Sequence, residues 1–341
     1  MPNYTECANL LVQGVVAKAD PDIAGLGVIF AFTISAGLTL LAIGAAYFTG
    51  LVDAGLLGPV DRIIMHIPAR APQHPRIHVT LRKAIMACSD QQIVTGIAIL
   101  AAGFHGLVTG HISVYHFHIV LYLAWMSSSV HLSALTLLKP FMQQHRGVLV
   151  WRSVGMLVLL VMMIIALVPT ISNDWAVISL QNVDSNHLPQ NTVFGVPAIC
   201  FWGQLYDDGV NPDAILSYIV LFVSYLWKMG GLFPPITSFW TRYVRNPWDF
   251  CLEWPLSFAA RKYGEQRGLM YMVPFWIWLA IYVETTAVLE VLDSFSAALW
   301  LSTLGFVYGI LQIAVPRGLV QTAVPDLLAG ESEWSLVSWY H

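Results

Sequence analysis

Charge is what this sequence has least of. Asp, Glu, Lys and Arg make up 11% of the 341 residues while 57% are hydrophobic, and the mean hydropathy is +0.66. That composition excludes an ordinary soluble domain and puts the chain in the membrane class. Sixteen basic residues against twenty acidic ones leave a net charge of −4, so there is no electrostatic footprint for nucleic acid. Four cysteines are too few for a disulfide scaffold. The short apolar run at 10–17 has no basic stretch before it, so it does not read as a cleavable signal peptide, and the first membrane helix is expected to act as its own targeting signal.

Long apolar runs are what the sequence does have. Segments long enough to cross a bilayer lie at 23–48, 91–112, 114–138, 153–171, 214–233, 269–289 and 295–315. They predict an all-α, polytopic membrane protein, a single domain over 1–341 with seven transmembrane helices. All basic residues but Lys18 fall in or around the first, third and fifth connections or in the tail, Lys228 at the inner end of the fifth span. The positive-inside rule then puts the N-terminus lumenal or outside and the C-terminus cytosolic, in a multi-pass protein expected in the endoplasmic reticulum. The 172–213 connection is lumenal in this topology, carries Trp175, Trp202 and several aspartates without a Lys or Arg, and reads as a candidate lid. Cys7 and Cys200 share that side, where a disulfide between them can persist; Cys88 and Cys251 fall on the reducing side. Asp20-Pro21-Asp22 reads as the opening of the first helix, and Ser89-Asp90 as the cap of the second.

Ionisable groups inside such spans are costly, so they mark candidate chemistry. The hairpin 89–139 holds His105, His111, His116, His118 and His131, with no Lys or Arg before Lys139. Topology puts the first four toward the lumen and His131 nearer the cytosol. Glu284 is the carboxylate that lies well inside a span, at a similar lumenal depth. An ionised carboxylate at helix centre costs about 2.5–3.5 kcal/mol on insertion scales, so Glu284 should be paired, hydrated or neutral, and a neutral carboxyl is a usable general acid. The competing reading, for Glu284 and for each histidine, is a hydrogen bond that ties helices together. His118 and His131 are spaced to serve two haems on one helix, but the second span has no histidine in its inner half to complete the inner pair. At most one haem, through His105 and His118, is left as an alternative, and the expectation adopted is no metal and no cofactor. The seventh span has no Lys for a retinal Schiff base, and the DDxxD motif of soluble metal-dependent terpene synthases does not occur.

The runs DPDIAGLGV at 20–28, SDQQIVTGIA at 89–98, YHFHIV at 115–120, LAWMSS at 123–128 and His131-Leu132 cover the first three spans. Over them the chain resembles a family of filamentous-fungal integral membrane proteins that includes the membrane-bound terpene cyclases of meroterpenoid routes of the ascochlorin and ascofuranone type. The resemblance implies a fungal secondary-metabolism enzyme that cyclises an epoxidised farnesyl chain without a metal. Opening an epoxide requires a general acid, a dry apolar pocket and π-faces for the developing cation. On that chemistry Glu284 or Asp22 would supply the proton and His118 or His105 would orient it. Trp125, Trp278, Tyr282 and His116 would line the substrate. The expected partners are the bilayer and an apolar prenylated small molecule, with the oligomeric state open. The reading from another class is a seven-helix receptor or transporter for a small apolar ligand.

Overall fold

The computed structural model describes residues 18–67, 75–171, 175, 195–202, 212–265, 268–323 and 331. Its helices are α1 (Pro21–Ala24), α2 (Leu26–Phe48), α3 (Pro59–Ile63), α4 (Pro75–Thr109), α5 (Val114–Gln144), α6 (Arg146–Ala166), α7 (Pro212–Leu232), α8 (Pro234–Trp240), α9 (Asn246–Glu265), α10 (Leu269–Asp293) and α11 (Phe295–Ala323). Seven of them are long and apolar enough to cross a membrane, and no strand forms among the described residues.

The bundle is built around α5. Every residue from Val114 to Leu135 except Ser129 is buried, because α2, α4, α6, α7 and α11 all pack against this one helix. Glycines set how closely two of them approach, the usual role of small residues between membrane helices. A β-carbon on Gly103 of α4 would sit 2.7 Å from Val120 Cγ1, and one on Gly305 of α11 would sit 2.7 Å from Ser129 Oγ. The outer helices turn a second face to lipid: α6 buries Arg152, Met156, Leu159 and Met163 while Trp151, Val154, Leu157 and Val161 are exposed.

Several elements differ from the sequence expectation. Helix α4 starts at Pro75, so Ser89 and Asp90 lie in its middle and do not cap it. Both are instead tied to neighbouring helices. Ser89 Oγ lies 2.6 Å from His131 Nδ1. Asp90 Oδ1 forms an ion pair with Arg152 Nη2 at 2.7 Å, and the same nitrogen donates to the Met86 carbonyl at 3.0 Å. Asp20 stands at the N-cap of α1 without a side-chain hydrogen bond. In the 172–213 connection, Val114 N–H donates to Val196 O at 2.9 Å and Ala198 N–H to Ile112 O at 3.0 Å, so 196–198 is fixed against the start of α5. The aspartates expected there, Asp174, Asp184, Asp207 and Asp208, lie outside the described residues. Cys200 is disulfide-bonded, Cys88 and Cys251 are free thiols, and Cys7 lies outside the described residues.

The last helix runs opposite to the sequence expectation. Asp61 caps its start, accepting from Phe295 N–H and Ser296 N–H at 3.0 Å each, from Gly58 N–H at 3.0 Å and from the Tyr47 hydroxyl at 2.8 Å. At the other end Arg317 Nη1 donates to the Ala24 carbonyl at 2.6 Å. Helix α11 is therefore antiparallel to α2, and the chain at Arg317 returns to the side of the bundle where α2 begins, whereas the expected topology put the two ends on opposite sides. The cause is the α9–α10 hairpin. It leaves and re-enters the bundle at one end, where Arg245 pairs with Glu290 at 2.9 Å and with Asp293 at 2.7 Å.

Candidate functional site

The start of α5 gathers a carboxylate, an imidazole, a guanidinium and a phenol hydroxyl at one point. Ser113 caps the helix, accepting the His116 N–H at 3.3 Å, and its hydroxyl lies 2.6 Å from His116 Nδ1. That fixes the ring so that Nε2 meets Glu331 Oε1 at 2.9 Å. The other oxygen of Glu331 accepts from Arg317 Nη1 at 3.1 Å and from the Tyr115 hydroxyl at 3.5 Å. Glu331 is 0% exposed and His116 2%, so this carboxylate, imidazole and guanidinium form one buried charged cluster. Burying charge is tolerated where every charge has a partner, which holds for the Arg317–Glu331 pair. A proton can pass along the 2.9 Å contact between His116 and Glu331, making the pair a donor or an acceptor as the chemistry demands.

Aromatic rings continue the site along α5. His118 Nε2 donates to the Gln312 carbonyl of α11 at 2.9 Å. Its ring lies 4.6 Å from Tyr122 and 6.3 Å from Trp175. Tyr308 of α11 stands 5.8 Å from Tyr122 and 6.1 Å from Trp125, and Trp175 packs edge-on to Phe117 and Phe201. Within this run His118 Nδ1, Trp125 Nε1 and Trp175 Nε1 are buried without a hydrogen-bond partner. Unpaired buried indole N–H groups cost free energy unless an acceptor arrives, and ligand sites are one place where such a cost persists. The arrangement offers π-faces and unused N–H donors along α5 from His118 to Trp125, with a hydrogen-bonded imidazole–carboxylate pair at the start of the same helix.

Of the residues singled out from sequence, the structure brings together His116, His118 and Trp125, all buried on α5. It does not bring the others to them. His105 is exposed on the outer side of α4, and Asp22 is exposed in α1. Glu284, Trp278 and Tyr282 stand on α10, which has no buried residue and packs mainly on α9; Glu284 itself is exposed. The fifth histidine, His131, is buried in a separate cluster with Ser89. Sequence reasoning missed Glu331 and Arg317 as site residues, which lie beyond the last expected span, and Tyr308; it named Trp175 only as part of a candidate lid. One signal for Arg317 was present: it is a lone basic residue at the edge of an apolar run, the kind that seeks a carboxylate.

The fold and this cluster define a polytopic α-helical membrane protein with a buried charged site. Over 119 residues, 35% of the chain, it is 38% identical to Elsinochromes biosynthesis cluster protein HP3 of Elsinoe fawcettii. The match spans 47% of that protein's length, so the chain covers about half of the curated relative. No protein-family model matches the chain, and no solved structure matches it either. What the comparisons establish is a relative from a fungal secondary-metabolite biosynthesis cluster.

Proposed function

We propose that this protein is a membrane-embedded acid–base catalyst of fungal secondary metabolism. In the form that the resemblance suggests, it is a cyclase that opens the epoxide of a prenylated, meroterpenoid-type substrate at the endoplasmic reticulum. The observation that carries the reading is the buried His116–Glu331 pair beside a run of aromatic rings whose N–H groups have no partner. The acid is accordingly assigned to this pair rather than to Glu284 or Asp22. The pair protonates the epoxide oxygen as its C–O bond breaks, and the bond's electrons stay on oxygen as a hydroxyl. The carbocation left behind is attacked by alkene π electrons, closing rings, while Trp125, Tyr122 and Tyr308 face the charge. The final cation loses a proton to the pair, so protons and electrons balance and the product is an isomer of the substrate. Unpaired indole N–H groups hold the substrate's oxygens, and the surrounding helices keep water out.

Microsomes containing the protein, given an epoxyfarnesyl phenol without added magnesium, should form a cyclic product of unchanged mass. Glu331→Gln should lower that turnover by two to four orders of magnitude, the usual contribution of a positioned acid or base, roughly 10²–10⁴. Full turnover in a folded Glu331→Gln protein removes the assignment. Saturable binding of apolar ligands with no turnover of any epoxyprenyl substrate favours the receptor or transporter reading instead.

A further inference from the structure

At the end of the bundle opposite the His116 cluster, the ends of α5 and α7 meet, with Gln143 Nε2 donating to the Leu232 carbonyl at 3.3 Å. Beside that contact lies an open groove of about 790 Å³, lined among others by Lys139, Gln143, Thr237, Ser238, Thr241 and Arg242. Two cations and three hydroxyls thus face one recess that contains no carboxylate among its lining residues. Among the described residues neither Lys139 nor Arg242 is in an ion pair. Their neighbour Arg245 shows the contrast, since Glu290 and Asp293 neutralise it. Lys228 nearby feels the charges of both Asp293 and Lys139 and donates to the Thr136 hydroxyl at 3.1 Å. The recess therefore presents two cations without an ion-pair partner among the described residues, beside three hydroxyls, the combination that recognises a phosphate.

Its surroundings indicate where that phosphate comes from. Trp227 of α7 packs edge-on against Trp240 with ring centroids 5.7 Å apart, and Phe239, Tyr243 and Trp248 are each more than half exposed. Exposed Trp and Tyr at the end of a membrane helix mark the headgroup level of a bilayer. The same end carries Arg62, Arg82, Lys83, Lys139, Arg146 and Arg152, so by the positive-inside rule it faces the cytosolic leaflet, where anionic lipids concentrate. A groove at headgroup depth is reached by a lipid moving in the plane of the membrane.

We propose that this groove binds the phosphate headgroup of an anionic membrane lipid, with Lys139 and Arg242 holding the phosphate and the hydroxyls of Thr237, Ser238 and Thr241, which otherwise donate to the Phe233, Pro235 and Thr237 carbonyls, turning to its oxygens. The test is native mass spectrometry of the full chain in maltoside micelles, titrated with dioctanoyl phosphatidic acid, dioctanoyl phosphatidylcholine or glycerol 3-phosphate. One saturable phosphatidic acid adduct is expected, with phosphatidylcholine and glycerol 3-phosphate much weaker. K139Q/R242Q should weaken the adduct at least about tenfold, in line with the contribution of each basic residue at an anionic surface. Arg242 is exposed, so R242Q alone serves if the double variant does not fold. Unchanged phosphatidic acid binding in a folded variant overturns the site. Glycerol 3-phosphate binding as tightly as the lipid overturns the lipid as its source and leaves a soluble phosphate ester.

Discussion

Helices α5 and α10 are both apolar enough to span a bilayer, yet 89% of the most apolar stretch of α5 is buried inside the protein and 0% of that of α10. Hydropathy measures whether a helix tolerates lipid, not whether protein surrounds it. What separates the two is their polar content. Helix α5 carries Ser127, Ser128, Ser129 and Ser133 with three histidines, small or polar groups that let neighbours close in and that need protein partners. Tyr225 of α7 supplies one such partner, its hydroxyl lying 2.7 Å from Ser128 Oγ. Helix α10 carries bulky aromatic and aliphatic residues with Glu284, and its polar contacts lie at its end, where Glu290 and Asp293 meet Arg245. A carboxylate inside an apolar run is therefore a weaker sign of a site than a cluster of small and polar residues on one helix.

The largest effect should come from the cluster at the start of α5. Glu331→Ala leaves the Arg317 guanidinium and the His116 ring without their buried carboxylate, and removing one member of a buried pair costs roughly 3–5 kcal/mol. The loss is read as a lower midpoint of thermal unfolding in detergent. Converting Arg317 to Met as well removes the stranded charge and should recover part of that midpoint. If Glu331→Ala melts like the wild type, the cluster is not a bundle element and α5 loses its distinction from α10.

How much of this was legible in the sequence follows from the physics of each feature. The spans were legible because membrane helices must be apolar over a fixed length. The start of α4 at Pro75 was not, because its first turns, with Arg76, Arg82 and Lys83, continue a helix outside the apolar window. The direction of α11 was not legible either. It depends on Arg245 meeting Glu290 and Asp293, 45 and 48 residues further along the chain, and no local pattern announces that contact. Of the site, His116, His118 and Trp125 could be picked out because they interrupt an apolar helix. Glu331 could not, since nothing local separates a carboxylate that folds back onto a helix from one that stays in solvent.

The Asp61 cap of α11 should give the second largest effect, and it depends on pH. Burial alone would push this carboxyl up, but the Tyr47 hydroxyl and the N–H groups of Ser296, Phe295 and Gly58 outweigh burial and hold it below the ordinary carboxylate range. A carboxyl lowered by folding stabilises fully above the unfolded value of about 3.9 and loses that contribution as pH falls through the lower folded value. Asp61→Asn should cost roughly 1–3 kcal/mol at neutral pH by leaving buried N–H groups under-satisfied. It should also flatten the acid limb of a melting-against-pH curve below about pH 4. An acid limb of unchanged steepness would show that other groups set it.

Packing around α5 gives a smaller effect. Gly103→Ala puts a methyl 2.7 Å from Val120 Cγ1, and Val is stiff about χ1, so the helices must separate. Overpacking costs about 1–3 kcal/mol, against about 1 kcal/mol gained in helix propensity, leaving a modest net loss. Gly44→Ala in α2, where a β-carbon would meet nothing within 4 Å, should keep or raise the melting point. The pair separates the surrounded helix from the peripheral one by a single methyl each, and equal shifts would mean that α4 does not press on α5.

The smallest effect should be on α10, which carries Glu284, one of the two carboxylates that the sequence offered as the acid. Glu284 is exposed on a helix without a buried residue, so Glu284→Gln removes no partnered charge and should move the melting point by less than about 2 °C. The proposed cyclisation should likewise proceed at the wild-type rate, while Glu331→Gln lowers it by about two to four orders of magnitude. The two substitutions are chemically identical and differ only in which helix the carboxylate meets, so their ratio isolates location from chemistry. Loss of turnover in a folded Glu284→Gln protein, with Glu331→Gln active, would mean that α10 closes onto the bundle during the reaction. The site would then lie between the two regions rather than within α5.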